Sequence, residues 1–244
     1  MALLLISATL EELLALFPKS SQSKLGELDF FQPKQAPSHL FSTKEPVFLS
    51  LSGPGPVNAA IATAYALRDL QAKGHENIQV LLTGLAGSYD LGKVPLLSLC
   101  EVELEIWPEY GLNEGHTVIA EAFKWPLWQK SPTEKVYDRI SLNPLTSLGL
   151  KPEKLQERFI HCQALTVAGT SASFERAQNL KDRYRAELEN MEGFAVAYTC
   201  ARFNIPCCEI RCVSNKTGPR RPEEKDFPGA LVKLEEILPL LQLI

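Results

Sequence analysis

No run of lysine and arginine in this 244-residue chain exceeds a pair, and the formal net charge is −4. Without a basic face a phosphate backbone finds no counter-charge, so nucleic acid as a polymer is not an expected partner. Long apolar runs are missing too. Nothing approaches the roughly 18 residues a membrane span needs. Met1–Ala8 lacks a basic start and runs into Glu11 and Glu12, so it reads as a buried first strand rather than a signal segment. Histidine is scarce: His39, His75, His116 and His161 fall outside any cluster. None of the six cysteines has zinc-ligand spacing, and no dinucleotide or Walker glycine pattern occurs, so neither metal nor cofactor is expected. Cys200, Cys207, Cys208 and Cys212 fall in apolar segments, where a thiol packs as a small hydrophobe, and this usage points to the cytosol.

What the chain does contain is apolar surface, 45% of its residues, enough for one large core. The pattern predicts a single α/β domain over 1–244. Leu3–Ser7, Val47–Ser52, Ile78–Thr83, Arg158–Val167 and a long Pro95–Trp107 read as strands. Thr9–Phe17 reads as a short helix, 52–67 as strand, glycine turn and alanine-rich helix, and Phe227–Ile244 as one helix packed on the sheet. Residues 19–44 are polar and Pro-dotted, with Leu28–Phe31 and His39–Phe41 as candidate edge strands. Residues 107–152 hold Trp107, Trp125 and Trp128 among prolines, a composition that fits a lid, a subunit interface or a covered loop.

Chemistry-bearing residues crowd into 187–221, ELENMEGFAVAYTCARFNIPCCEIRCVSNKTGPRR. Met191–Phe203 is small and apolar enough for a buried helix, with Glu192 in its first turn and Asn204-Ile205-Pro206 as its stop. Ile205–Val213 reads as a central strand interrupted near its carboxyl end by Arg211, and Ser214–Gly218 as the loop that follows. Charges inside such elements are paired or costly. The pattern alone leaves two readings: a structural Glu192–Arg211 ion pair, or a ligand site beyond the strand ends.

ENMEGFAVA followed by EIRCVSN resembles the nucleoside phosphorylase/nucleosidase superfamily, as do the SGPGPVNAA turn at 52–60 and TGLAG at 83–87, which is similar to a loop of that family. The ENMEG form, Asn215 in place of aspartate and the following Gly-Pro-Arg are similar to its futalosine hydrolases, of menaquinone biosynthesis. The resemblance implies a three-layer α/β/α fold with a mixed, partly barrel-like central sheet, and hydrolysis of a purine nucleoside without cofactor or metal, by a homodimer or higher homo-oligomer. It places Glu12 as general base on water, where by itself the residue reads as a helix-start carboxylate. It places Glu192, with Asn190, Met191 and Ser214, against the ribose, and Arg211 as the group that orients Glu12, the water or Glu192. The backbone of Gly84, Leu85 and Ala86 would line the ribose and water site, with Leu85 standing where adenine-selective nucleosidases carry serine. Phe174 falls where relatives put an aromatic beneath the purine; a core role fits it equally. Phosphorylases of the superfamily carry an arginine in the first loop; here that loop is acidic, which favours water over phosphate as acceptor.

Asn215 cannot hand over a proton, but it can donate hydrogen bonds to N7 and O6 of a 6-oxopurine, which suits hypoxanthine as leaving group. Futalosine also implies a pocket for a 5′ aromatic acid, and Arg220 or Arg221 is the candidate partner for its carboxylate, or else a solvent-facing pair. The sequence departs from the pattern at Phe194, Cys212 and Arg221-Pro222, which bears on 5′ specificity. Two alternatives stand beside this reading: a methylthioadenosine/adenosylhomocysteine-type nucleosidase, against which Asn215 and Leu85 count, and an inactive nucleoside-binding protein, against which the retention of both Glu12 and Glu192 counts.

Overall fold

Alternate residues of the first strand serve opposite sides of the molecule, which is why its run of apolar residues is unbroken. In the computed structural model, which describes residues 1–115, 117–149 and 158–244, the elements in chain order are β1 (Ala2–Ser7), α1 (Leu10–Ala15), α2 (Lys19–Gln22), β2 (Lys34–Gln35), β3 (Val47–Leu51), α3 (Pro56–Ala72), β4 (Ile78–Ser88) and β5 (Leu99–Ile106). Four hairpin strands follow, β6 (Leu112–Asn113), β7 (Val118–Ile119), β8 (Trp128–Gln129) and β9 (Lys135–Val136). Then come β10 (Arg139–Ser141), β11 (Ile160–Thr166), α4 (Phe174–Tyr184), β12 (Leu188–Asn190), α5 (Gly193–Arg202), β13 (Cys207–Lys216), α6 (Phe227–Leu234) and α7 (Ile237–Leu240). His116 and the end of the 107–152 stretch lie outside the described residues.

Leu3 and Leu5 pack with Leu13 and Leu16 of α1 and with Ala230, Leu234, Ile237 and Leu238 of α6 and α7. Ala2, Leu4 and Ile6 pack with Ala59, Ala66 and Leu67 of α3 and with Val196 and Cys200 of α5. A strand covered on both faces is the arrangement that parallel pairing favours, and β1 pairs in parallel with both β3 and β4. The expected three-layer α/β/α architecture is therefore present. Its sheet is mixed, with order β10-β5-β11-β12-β4-β1-β3-β2, while β13 pairs with both β4 and β5. Those last pairings close β4, β13, β5, β11 and β12 on themselves as a barrel, filled by small and branched side chains such as Ala86, Cys100, Val102, Ala164, Leu188 and Val213. Among the described residues no helix is long and apolar enough to cross a membrane.

Several expectations need correction. Pro95–Trp107 is not one strand: 95–98 turns, with Leu97 at φ 64°, before β5 begins at Leu99. The edge strand of the polar segment is Lys34–Gln35; Phe30 makes only an isolated bridge to Leu51, and Ser38–Leu40 is a 3-10 turn. Phe227–Ile244 divides into two short helices, although its apolar side packs on the sheet as expected. TGLAG and Ser214-Asn215-Lys216 are not loops. β4 runs through Ser88 and β13 through Lys216, paired along their length with one irregularity between Val213 and Asn215. This extension, and β12, which the sequence pattern did not signal, close the barrel.

The barrel also fixes where α5 can begin. Gly193 sits on its first turn with Glu105 of β5 and Glu209 of β13 directly beneath, so an added Cβ would collide with the Glu105 carboxyl and stand 2.8 Å from Glu209 Oε1. Gly193→Ala should therefore destabilise the fold by about 1–3 kcal/mol, the usual range for overpacking. Urea denaturation would check this, and a variant as stable as the parent would show that the carboxyls can step aside.

Candidate functional site

Glu192 is not in the first turn of α5; it is the residue that caps it, with φ −128° and ψ −30°. The turn is set by Asn190, whose Oδ1 accepts from the N–H groups of Glu192 (2.9 Å) and Gly193 (2.8 Å). The Glu192 side chain then turns away from its own helix towards another. Oε1 accepts from the Gly55 N–H at 3.0 Å, at the N-terminus of α3, where a carboxylate is favoured by the free amides and the helix dipole. Gly53 and Gly55 hold φ of 75° and 92°, so the turn requires glycine, and Gly55 also makes a contact.

Arg211 lies next to it, 1% exposed. Its Nε donates to Glu209 Oε1 at 2.7 Å; its Nη1 donates to Glu192 Oε2 at 3.3 Å and to the Leu85 carbonyl at 3.3 Å. Burial pulls the guanidinium pKa down, but Glu209 and Glu192 more than offset it, and the group stays charged. Nη2 makes no hydrogen bond to the described residues.

Glu12 reaches the same place from the other side. Its Oε2 accepts from Thr9 N and Oγ1, both at 3.0 Å, and its own N–H donates to Thr9 Oγ1, a reciprocal capping box at the start of α1. Its Oε1 is turned inward and accepts from the Leu85 N–H at 2.9 Å. Burial pushes the Glu12 carboxyl above 4.5, opposed by the Leu85 amide and by Arg211. A methyl group at Gly84 would stand 2.9 Å from both Arg211 Nη1 and Glu12 Oε1, which accounts for the glycine there: it lies beneath these groups rather than on the cavity surface. The helix-start reading of Glu12 is met by Oε2, while Oε1 is left facing the Leu85 amide.

One open cleft of about 190 Å³ takes in Glu12 and Glu192 together, with Leu85, Ala86, Met191 and Asn190 on its walls. Ser214, Asn215 and the exposed Arg220 line the same cleft. Larger hollows lie elsewhere on the surface, one of about 400 Å³ beside Tyr89 and Lys181, but they gather no such set of buried carboxylates. Ser214 Oγ donates to Asn215 Oδ1 at 3.0 Å, and Asn215 Nδ2 donates to the Lys216 carbonyl at 2.8 Å. One amide hydrogen and one lone pair of Oδ1 remain, so Asn215 can still donate through Nδ2 and accept through Oδ1.

Comparison with known proteins decides the family. The phosphorylase superfamily model matches residues 141–237. A futalosine hydrolase of Thermus thermophilus is 35% identical over 69% of each chain. A 5'-methylthioadenosine/S-adenosylhomocysteine nucleosidase of Staphylococcus aureus is 27% identical over 69% of this chain and 68% of its own. The chain belongs to the phosphorylase superfamily. Within it, this is an N-glycosidase, a nucleoside hydrolase. The superfamily fold is equally plain in the structure of a Helicobacter pylori futalosine hydrolase mutant, with a TM-score of 0.71 at 19% identity over 99% of this chain and 98% of that one.

Against that superfamily pattern, Phe174 is misplaced. It opens α4, is 68% exposed, and borders a separate hollow with Tyr89 and Ala177. The aromatic that lines the cleft is Phe227, at the start of α6, brought in by packing of the C-terminal helices on β13. Arg220 Nη2 donates to Thr170 Oγ1 at 2.9 Å, whereas Arg221 caps the next turn and does not line the cleft. Glu189, Glu105 and Glu209 were missed. Glu209 could have been found, since in CCEIRC it stands two residues before Arg211 and strand alternation puts both on one face.

Glu105 is fully buried, and burial first, Glu209 second, hold its carboxyl well above 4.5. Asn190 Nδ2 donates to it at 2.6 Å and Thr166 Oγ1 at 2.7 Å. Below 4.5 the carboxyl is protonated whether folded or unfolded. Between 4.5 and its raised folded value only the folded chain keeps the proton, so this group makes stability fall as pH rises through that window. Glu105→Gln should remove part of that slope in thermal melts between about pH 5 and about pH 8. An unchanged slope would show that Glu105 does not carry the proton.

Proposed function

We propose that the chain hydrolyses the N-glycosidic bond of futalosine, releasing hypoxanthine and dehypoxanthine futalosine in the futalosine route to menaquinone, in the cytosol. The observation that carries the reading is the meeting of Glu12 and Glu192, from opposite ends of the chain, in one cleft around Arg211. Cleavage of such a bond passes through an oxocarbenium-like sugar, which needs a charge-stabilising group, an aimed nucleophile and a leaving base that can take up electrons.

Glu192, already fixed by Gly55 and Arg211, accepts from the ribose hydroxyls and sets its negative charge beside the developing cation. Glu12 holds the water and takes its proton; the Leu85 amide on Oε1 orients the carboxylate, and burial makes it a better base than a solvated one. Arg211 acts through these two, as a positioning residue. Asn215 donates its remaining N–H to the purine as charge spreads onto O6 and N7. Carboxylates around Arg211 disfavour phosphate in the acceptor position, so the nucleophile is water. The exposed Arg220 takes the carboxylate of the 5′ aromatic acid. The six unpaired, buried cysteines are in keeping with a reducing compartment.

The chain also works as a homodimer or larger ring. Support comes from α3, which leaves Val57 (71% exposed), Ile61 and Tyr65 on its outer side beside an almost wholly apolar hollow floored by Phe194, Tyr198 and Leu127. That side adjoins Gly55 and hence the cleft. Light scattering should give at least twice the monomer mass, and Ile61→Glu should lower it; a monomeric parent protein would refute the assembly.

Glu12→Gln should lower kcat by about 10²–10⁴, and Glu192→Gln should reduce kcat more than it raises KM. Because Glu12 must be ionised and its pKa is raised, activity should fall on the acid side at a pH above the ordinary glutamate value of 4.5. Product analysis on futalosine with and without phosphate tests the whole reading. Hypoxanthine should appear at the same rate in both, and a requirement for phosphate, or faster adenine release from methylthioadenosine, would overturn it.

A further inference from the structure

Two acidic residues inside the barrel, Glu105 and Glu209, have no part in the chemistry above. Both are 0% exposed, and their Oε1 atoms lie within 2.8 Å of the point where a Cβ on Gly193 would stand. Among the described residues that hydrogen-bond to them, Arg211 of β13 is the one cation, its Nε donating to Glu209 Oε1 at 2.7 Å. Thr166 of β11 and Asn190 of β12 are neutral donors to Glu105, and Glu192 is the next charge outward. Two buried carboxyls so placed cannot both ionise against one guanidinium that Glu192 and Glu12 also draw on, so the pair holds a proton. Glu105 keeps it, through burial and then the charge of Glu209, and hydrogen-bonds to Glu209. The interior therefore sets one negative charge against one positive charge.

The guanidinium is not shared evenly. Charge-assisted N–H···O bonds run at about 2.7–2.9 Å. The bond to Glu209 is 2.7 Å, whereas the contact with Glu192 is 3.3 Å and is made by Nη1, which also donates to the Leu85 carbonyl. Glu192 has an uncharged donor of its own in the Gly55 N–H at 3.0 Å. Arg211 thus holds Glu192 loosely and Glu209 closely. A carboxylate tightly paired with a guanidinium would keep little field for an oxocarbenium-like sugar, and would have to break that pair to accept from the ribose hydroxyls.

We infer that Glu209 is a positioning residue, the inner counter-ion of Arg211: it takes up the guanidinium from inside the barrel and so leaves Glu192 its charge for the sugar. This rests on the roles given to Glu192 and Glu12 above and deepens them. The same balance reaches Glu12, whose pKa is raised by burial and lowered by Arg211. Without the charge of Glu209, Arg211 would turn on both site carboxylates. Glu192 would be quenched, and Glu12 would ionise at lower pH.

Glu209→Gln alone is not decisive, because Glu105 then loses the neighbouring charge that helps to keep it neutral. The test therefore compares Glu105→Gln with Glu105→Gln/Glu209→Gln on futalosine, inosine and methylthioadenosine. An amide reproduces a neutral carboxyl, so Glu105→Gln should keep most of the parent activity. Adding Glu209→Gln should lower kcat by about 10- to 100-fold on every substrate the parent cleaves, with little change in KM, and should move the acid limb of kcat/KM to lower pH. A merely structural role would not move that limb downward. A fall in kcat with the limb in place, or no fall, would overturn the role of Glu209 while leaving the hydrolase reading intact, since that reading is decided by Glu12→Gln and Glu192→Gln. Should the double variant not fold, infrared spectra at about pH 8, where ordinary carboxyls are ionised, still decide. A protonated-carboxyl band present in the parent should be lost from Glu105→Gln; the same band in both, or in neither, would mean that Glu105 is not the neutral member of the pair and would end the proposal.

Discussion

A guanidinium buried to 1% exposure is the constraint on which the rest of this structure depends. Arg211 cannot stand in the barrel wall without carboxylates, because an unpaired charge there costs several kcal/mol. Glu209 supplies one on the same strand, and Glu192 supplies the other from the turn before α5. Once the second partner must come from that turn, the turn has to be rigid. Asn190 makes it so by accepting from two successive amides, and Asn190 is itself anchored on Glu105. The acidic pair Glu105 and Glu209 lies beneath Gly193, a packing that excludes any side chain at that position. The site is thus organised from inside the barrel outward.

The same cation links the two ends of the chain. Leu85 is held on both sides: its carbonyl accepts from Arg211 and its N–H donates to Glu12. The peptide at the mouth of the barrel therefore fixes the distance between a carboxylate from the first loop and one from residue 192. Neither group needs the other for its fold. Glu12 would cap α1 in any case, and Glu192 would cap α3. Placing two helix-capping carboxylates around a shared arginine converts ordinary terminal chemistry into a cleft with negative charge on two walls.

Much of this was legible in the residues. The layers follow from apolar periodicity, since Leu3 and Leu5 face one helical layer and Ala2, Leu4 and Ile6 the other. The motif at 187–221 drew attention to Glu192 and Arg211 because charges interrupt apolar elements there. What was not legible depended on pairing between distant strands. TGLAG looks like a loop because glycines weaken a strand locally, yet here Gly84 and Gly87 admit neighbouring side chains in a strand that runs on to Ser88. Ser214–Lys216 looks like a loop because it is polar, yet it is strand because both β4 and the cleft need it. Phe174 was misread for a similar reason: position along the chain cannot tell a helix-start aromatic facing solvent from Phe227, which only the docking of α6 against β13 brings to the cleft.

The polar strand ends have a consequence for recognition. A ligand group held by loops is held by backbone that moves, whereas Asn215 and Glu189 sit on paired strands whose registers are locked on Gly87. Their separation is set by the sheet, and each is held by neighbours, Ser214 and Lys216 for one, Tyr89 and Ser171 for the other. Groups so fixed cannot turn without breaking those bonds, and a buried polar atom left unpaired costs more than a hydrogen bond gains.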